Sequence, residues 1–140
     1  MKIGKYDYPE DLLYDGEHNW VRVEGQRATQ GLTDLGQALA GEIVYAEVPR
    51  VGRTVEKGQQ FMSLESGKWV GRVKALVSGV IVEANEEIDW ESTVINESPY
   101  EKGWFAVFEM GNPAELQGLY RASDAEYQAL VLAEAAKYGK

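Results

Sequence analysis

The sequence contains no cysteine and a single histidine, His18. The absence of cysteine excludes disulfide bonds, thiolate nucleophiles and thiolate metal ligands. One histidine also excludes a metal site built from several imidazoles and leaves one imidazole for acid–base chemistry. We therefore expect no metal, and any sulfur chemistry has to come from a group attached to the chain.

Positive charge is also scarce, because 14 lysines and arginines face 23 acidic residues and give a formal charge of −9. Binding to nucleic acid or to an anionic membrane surface depends on clustered lysine and arginine, so neither partner is expected. No apolar run reaches the about 18 residues that a membrane span needs, and the first residues lack the apolar stretch of a secretory signal. We therefore expect a cytoplasmic protein.

Catalytic motifs are absent as well. The chain has no nucleophile elbow, no phosphate-binding loop, no dinucleotide fingerprint and no zinc-protease motif. Adjacent acids such as Glu86 and Glu87 are typical of a solvated face in an acidic chain. An enzyme with its own catalytic residues is therefore the poorer hypothesis, and we expect a non-catalytic protein.

The sequence does contain enough apolar residues, 44% of the chain, for one folded domain spanning residues 1–140. Short β-rich runs alternate with glycine and proline and predict a mainly β, antiparallel fold over about residues 14–110. A helical segment over about residues 112–138 is predicted to follow. The predicted strands are residues 20–23, 43–48, 61–64, 77–82 and 104–108.

Capping residues predict where three helices begin. Residues 33 and 34 (Thr-Asp) cap a short helix that Gly41 ends. Residues 112–115 (Asn-Pro-Ala-Glu) begin a second short helix, because proline suits the first turn. Residues 123–126 (Ser-Asp-Ala-Glu) fit a capping box before a C-terminal helix, which we expect to pack its apolar side on the β core. That apolar side consists of Tyr127, Leu130, Val131, Ala135 and Tyr138.

The segment most suggestive of function is residues 61–70 (Phe-Met-Ser-Leu-Glu-Ser-Gly-Lys-Trp-Val). An apolar strand runs into a polar turn that presents Lys68, and a second strand is predicted to return over residues 73–77. A lysine at such a tip is accessible to a modifying enzyme, while the strands on both sides hold its backbone. The pattern allows Lys68 to carry a prosthetic arm, although an ordinary solvated lysine gives the same local pattern.

Longer motifs connect this chain with a known family over about residues 14–116. The sequence resembles the glycine cleavage system H protein, a lipoyl carrier of the lipoyl/biotinyl group. The matching motifs, in the order that the family has them, are residues 17–21 (EHNWV), 31–37 (GLTDLGQ), 41–52 (GEIVYAEVPRVG), 77–85 (VSGVIVEAN) and 95–104 (INESPYEKGW).

The resemblance implies a hammerhead fold, a flattened barrel-sandwich hybrid, with short helices and a C-terminal helix. It also implies lipoate as a covalent cofactor, joined by an amide bond to the lysine of the family motif E-S-V-K-A. Lys68 occupies that place here, with Glu65, Ser66, Gly67 and Trp69 around it. The partners implied are the lipoate-attaching enzymes and dihydrolipoyl dehydrogenase.

The departures from the family pattern cluster around this lysine. The family continues as E-S-V-K-A-x-S-D, whereas this chain has Gly67, Trp69, Gly71 and Arg72 in the four positions that differ. The glutamate of the family motif H-E-W is Asn19 here. Two acidic side chains that the family associates with the cleft for the loaded arm have become one neutral and one cationic side chain, which disfavours a bound ammonium.

These changes favour a related branch, the H-like lipoate-binding proteins of heterodisulfide-reductase-like sulfur oxidation. In that interpretation the heterodisulfide-reductase-like complex is a partner, the arm carries a sulfur-bound intermediate, and Arg72 contacts an anionic cargo. The alternative is the glycine cleavage H protein itself, which carries an aminomethyl group between glycine decarboxylase, aminomethyltransferase and dihydrolipoyl dehydrogenase. A biotin carrier and an unmodified scaffold are further alternatives, but biotin attachment is typical of Met-Lys-Met, which Lys68 lacks.

Two more side chains are candidates for the cargo pocket beside Asn19 and Arg72. His18 either contacts the cargo or makes a structural hydrogen bond near the start of a strand, and we favour the second. Trp69 either packs under the hairpin as a core residue or lies on the surface as a platform for the arm or for a partner protein. The sequence does not decide between these two roles of Trp69.

Overall fold

Twelve strands and four α-helices build the fold in the computed structural model, which describes residues 1–140. The strands are β1 Lys2–Ile3, β2 Tyr6–Asp7, β3 Leu13–Tyr14, β4 Asn19–Glu24, β5 Arg27–Leu32, β6 Ile43–Ala46, β7 Thr54–Val55, β8 Gln60–Ser66, β9 Val70–Lys74, β10 Gly79–Ala84, β11 Ala106–Met110 and β12 Tyr120–Arg121. The helices are α1 Asp34–Ala40, α2 Glu87–Trp90, α3 Val94–Glu97 and α4 Ala125–Lys137, and a 3₁₀ helix spans Pro113–Gly118.

The strands form antiparallel sheets of seven, three and two strands. The large sheet has the order β12-β3-β4-β5-β11-β10-β7, and the small sheet has the order β6-β8-β9. Phe61 of β8 meets Phe108 of β11 edge to face, with the ring centroids 5.1 Å apart. Both rings belong to a core of 22 buried residues, so the small and large sheets pack together through apolar side chains.

A second core of ten buried residues joins the two ends of the chain. Tyr127 of α4 stacks on Tyr14 of β3 at 5.3 Å and on Tyr120 of β12 at 5.1 Å, measured between ring centroids. Tyr8 meets both Tyr14 and Tyr127 edge to face. Tyr127 and Val131 are buried in this cluster and Leu130 and Ala135 pack against it, which confirms the predicted packing for these four residues. Tyr138, predicted on the same side, is 56% exposed and lies beyond the end of α4.

The mainly β fold class is confirmed, with differences in individual strands. The strands predicted to begin at residues 77 and 104 begin two residues later, at Gly79 and Ala106, and the return strand is Val70–Lys74 rather than residues 73–77. Strand β5, which contains the polar residue Gln30, is not among the predicted strands. The Gln30 side chain is fully buried and is satisfied by the Lys74 carbonyl oxygen at 2.9 Å and the Leu76 amide at 3.1 Å. Strands β1, β2 and β12 also lie outside the predicted β range of residues 14–110.

Some of the predicted helix ends are confirmed, and others are wrong. For α1, Thr33 Oγ1 accepts a hydrogen bond from the Gly36 amide at 3.1 Å, and Gly41 ends the helix with φ of 82°. The capping box at residues 123–126 is wrong: α4 begins at Ala125, and the Asp124 carboxylate accepts a hydrogen bond from the Arg121 amide instead of capping the helix. The helix predicted after Asn112 is present as a 3₁₀ helix without a side-chain cap. No helix has both the length and the apolar character that crossing a membrane requires.

Candidate functional site

Lys68 lies in the tight turn of the hairpin that β8 and β9 form. Leu64 pairs with Gly71, and Glu65 pairs with Val70, so the strands are in register up to the turn. The Ser66 amide donates to the Trp69 carbonyl oxygen at 2.8 Å, and the Lys68 amide donates to Ser66 Oγ at 3.4 Å. Strand pairing and these two hydrogen bonds therefore hold the backbone of the turn, as the sequence predicted.

The Lys68 side chain is exposed and has a free amine. It takes part in none of the three salt bridges of the chain and makes no side-chain hydrogen bond. Its Cε lies 3.4 Å from the point where a side chain at Gly41 would place its Cβ, so the stem of the lysine runs beside the end of α1. An unpaired amine on a rigid turn is accessible to acylation by another protein.

A cleft of about 560 Å³ lies beside this turn. The structure brings five of the predicted site residues to its lining, namely His18, Asn19, Lys68, Trp69 and Arg72. Glu65, Ser66 and Gly67 lie in the hairpin but do not line the cleft. Apolar side chains contribute to the lining as well: Leu32, Leu39, Leu64 and Val73. The cleft therefore offers apolar surface next to the amine of Lys68.

Of the two predicted roles of Trp69, the structure contradicts the core residue under the hairpin, and the platform stays a prediction. Its side chain is 39% exposed and lines the cleft, so it is not a core residue. Its ring nevertheless covers Gly71 of β9, and a Cβ added at Gly71 would overlap the ring atoms Cη2 and Cζ2. The glycine at position 71 is therefore what allows the indole to lie along the hairpin.

Asn19 lines the cleft, but its side chain is committed to a structural contact. It is 5% exposed, and its Nδ2 donates to Asp15 Oδ2 at 3.2 Å while its own amide donates to Asp15 Oδ1 at 2.8 Å. Burial raises the pKa of the Asp15 carboxyl, and the bonds from Asn19 oppose that rise. The backbone amide and the side chain of Asn19 thus offset part of the cost of burying the Asp15 carboxylate.

His18, which also lines the cleft, has an unusual backbone conformation. Its φ is 70°, and it is the one non-glycine residue with positive φ. Its Nε2 lies 3.6 Å from Glu134 Oε1 of α4, while its Nδ1 is buried without a partner. Burial lowers the pKa of the imidazole, and the neighbouring Glu134 acts in the opposite direction. The side chain thus makes this long contact with α4 in place of the predicted structural hydrogen bond.

Two acidic residues that line the cleft are not among the site residues that the sequence predicts. Glu17 and Glu134 line it together with the cations Lys68, Arg72 and Lys140, which gives two negative and three positive charges. Acylation of Lys68 would remove one positive charge and leave two of each sign. The loss of the two family carboxylates therefore does not make the cleft cationic, and the electrostatic argument for an anionic cargo loses its basis.

The helical spacing of Glu134 from the apolar residues of α4 indicates which side of the helix it lies on. It follows Tyr127 by seven positions, Leu130 by four and Val131 by three, so it lies on the same side of α4 as the apolar residues that pack on the fold. Tyr138 follows Glu134 by four positions and also lines the cleft. The C-terminal helix is therefore a wall of the cleft as well as a packing element.

Comparisons with known proteins point to one family. The family model described as "Glycine cleavage H-protein" matches residues 12–131. The glycine cleavage system H protein of Bacillus subtilis (strain 168) is 42% identical over 118 residues, which are 84% of this chain and 93% of that protein. Glycine cleavage system H protein 4 of Aquifex aeolicus (strain VF5) is 45% identical over 118 residues, 84% of this chain and 69% of that protein. A crystal structure of a glycine cleavage system H protein from Mycobacterium marinum matches with a TM-score of 0.74 and 28% identity, covering 94% of this chain and 99% of that one.

Proposed function

The chain belongs to the glycine cleavage H-protein family, and from this premise we propose that Lys68 carries a lipoyl group through an amide bond. Proteins of this family carry lipoate on a lysine and act as carriers without catalysing a reaction themselves. The single observation that supports Lys68 as the attachment site is its free amine on a fixed turn at the mouth of the cleft.

The residues around Lys68 fit such a group. The apolar side chains of the cleft provide a surface that an alkyl arm prefers to water. Ser66 and Gly67 shape the turn, and Glu65 continues β8 up to it, so we assign these three residues to presentation of the lysine. A lipoyl group, when attached, supplies a dithiolane whose sulfurs exchange electrons and carry a bound group. The chain has no cysteine that would react with it.

The pathway that the comparisons favour is glycine cleavage, the alternative in the sequence analysis. The partners in our proposal are the glycine cleavage enzymes, and the cargo is the aminomethyl group. The charge of the cleft is compatible with this assignment, because Glu17 and Glu134 offset Arg72 and Lys140 once Lys68 is acylated.

A second candidate is carriage in heterodisulfide-reductase-like sulfur oxidation. One observation favours it: Arg72 lines the cleft, where the family motif has an aspartate. The comparisons give this candidate no support, and it stays a prediction from sequence.

The two candidates differ in a reconstituted assay. Lipoylated protein is combined with glycine decarboxylase, aminomethyltransferase and dihydrolipoyl dehydrogenase, and glycine-dependent release of carbon dioxide is measured. We expect turnover with the native chain and with Lys74→Arg, a matched change at an exposed lysine of the same hairpin. We expect none with Lys68→Arg.

Lipoylated protein that supports no glycine turnover would contradict the glycine cleavage assignment and return the sulfur-oxidation candidate to first place. Turnover by the Lys68→Arg variant would contradict the assignment of Lys68. Mass measurement of each variant before the assay establishes whether the arm is present, so a failure of loading is distinguished from a failure of carriage.

A further inference from the structure

Trp69 and Gly71 form a unit in the wall of the cleft. The indole occupies the space that a side chain at residue 71 would need. A Cβ at Gly71 would come within 2.5 Å of Trp69 Cζ3, in addition to overlapping Cη2 and Cζ2. Gly71 itself is buried under this ring. Both residues replace others in the family motif E-S-V-K-A-x-S-D, and the structure shows why the two replacements belong together: the large residue at 69 requires the absence of a side chain at 71.

The ring also has an open side. Trp69 is 39% exposed and borders the cleft next to Leu64 and Val73. The cation–π contacts of the chain involve Tyr6, Trp20 and Tyr138, so no cation covers the indole of Trp69. One side of the ring is thus committed to Gly71, and the other is available to a group that enters the cleft.

We propose that Trp69 is an aromatic platform for the sulfur-bearing end of the arm on Lys68. This proposal rests on the attachment of a lipoyl group to Lys68. Sulfur makes favourable contacts with aromatic rings, and the neighbouring apolar side chains exclude water from the same surface. Trp69 directly follows the modified lysine, so an arm that turns back into the cleft meets the ring.

The absence of cysteine gives a direct measurement of this contact. In the reduced, lipoylated protein the two thiols of the arm are the only thiols, so the rate of alkylation by iodoacetamide reports how exposed they are. We expect Trp69→Ala to raise that rate about two- to tenfold, the range that a sulfur–aromatic contact allows. Trp69→Phe keeps an aromatic ring and should give a rate between the two.

A double-variant cycle tests the dependence on Gly71. Gly71→Ser places a side chain where the indole lies, so it should displace the ring and raise the alkylation rate as much as Trp69→Ala does. In the Trp69→Ala background the same serine has room, so we expect no further increase. If the alkylation rate rose further in the double variant, the effects of the two substitutions would be additive, as they are for independent sites. This result would contradict the proposal that Trp69 and Gly71 form one unit.

Matched controls are Trp90→Ala and Gly111→Ala. Trp90 is 71% exposed and does not line the cleft, and a Cβ at Gly111 meets only the Ser78 carbonyl oxygen at 4.0 Å. Both variants should alkylate at the native rate. If the mass of Trp69→Ala shows a lipoyl group and its rate equals the native rate, the platform is refuted while Lys68 stays the attachment site. If the native chain carries no lipoyl group, the proposed function itself fails.

Discussion

The two walls of the cleft are held in place by different interactions. The hairpin wall consists of Lys68, Trp69 and Arg72, and backbone hydrogen bonds between β8 and β9 position it. The helix wall consists of His18, Glu134 and Tyr138, and stacked tyrosine rings around Tyr127 hold its helix, α4, against the large sheet. The hairpin wall, where we place the modified lysine, thus depends on strand pairing. The helix wall, whose Glu134 offsets positive charge of the hairpin wall, depends on side-chain packing.

This difference implies that the two walls can be disturbed separately. Backbone pairing tolerates changes of exposed side chains, because the hydrogen bonds do not involve them. Side-chain packing does not, because removing a buried ring leaves a cavity that the surrounding structure fills only in part. Substitutions of the buried rings that support the helix wall should therefore cost more free energy of unfolding than substitutions of exposed side chains in either wall.

The largest expected effect comes from Tyr127→Ala. Tyr127 is fully buried and stacks on Tyr14 and Tyr120, so its truncation should lower the free energy of unfolding by about 3–5 kcal/mol. Urea denaturation measures the change. Tyr138→Ala, in the same helix wall but 56% exposed, is the control and should change the free energy by less than about 1 kcal/mol. Equal effects of the two variants would show that α4 is not held by the tyrosine cluster.

Restoring the two family carboxylates one at a time compares a buried position next to His18 of the helix wall with an exposed position in the hairpin wall. Asn19→Glu replaces the donor to Asp15 with a second carboxylate at a buried position and should cost about 2–4 kcal/mol. Arg72→Asp changes an exposed residue of the hairpin wall and should change stability by less than about 0.5 kcal/mol. Urea denaturation of both variants tests this, and a tolerated Asn19→Glu would show that the contact with Asp15 contributes little.

The smallest effect is a pH dependence of the helix wall. Burial lowers the pKa of His18 below that in the unfolded chain, so the unfolded state binds more protons as the pH falls through the usual histidine range. The contribution of His18 to stability is therefore complete above its unfolded pKa and declines as the pH falls towards the folded pKa. Groups that face the imidazole are Glu134, Asp15 and Glu17.

His18→Asn isolates this contribution, since asparagine tolerates the positive φ at position 18. The difference in unfolding free energy between the native chain and this variant should decrease as the pH falls from 8 to 5, while the opposite contribution of Asp15 largely cancels in the subtraction. Glu134→Gln should lower the His18 pKa further in an NMR titration, whereas Glu126→Gln, on the same helix away from the cleft, should leave it unchanged. A His18 pKa unaffected by Glu134→Gln would show that the two side chains do not interact.

The sequence predicted the turn that presents Lys68 because the features of this turn are local. A polar turn between two β-rich runs placed Lys68 at a tip, and the capping residues of α1 were also correct because a cap depends on neighbouring residues. The buried Gln30 in β5 and the position of Glu134 beside His18 depend on contacts between distant segments. The two altered positions near Lys68 therefore do not predict the charge of the cleft, because Glu17 and Glu134 also line it.

Mass spectrometry of the protein purified from the organism that makes it tests the central claim most directly. Intact mass should show a single addition that corresponds to one lipoyl group, and fragment ions should place it on Lys68. An unmodified chain, or an addition on another lysine or of another mass, would contradict the account of this chain as a lipoyl carrier acting through Lys68.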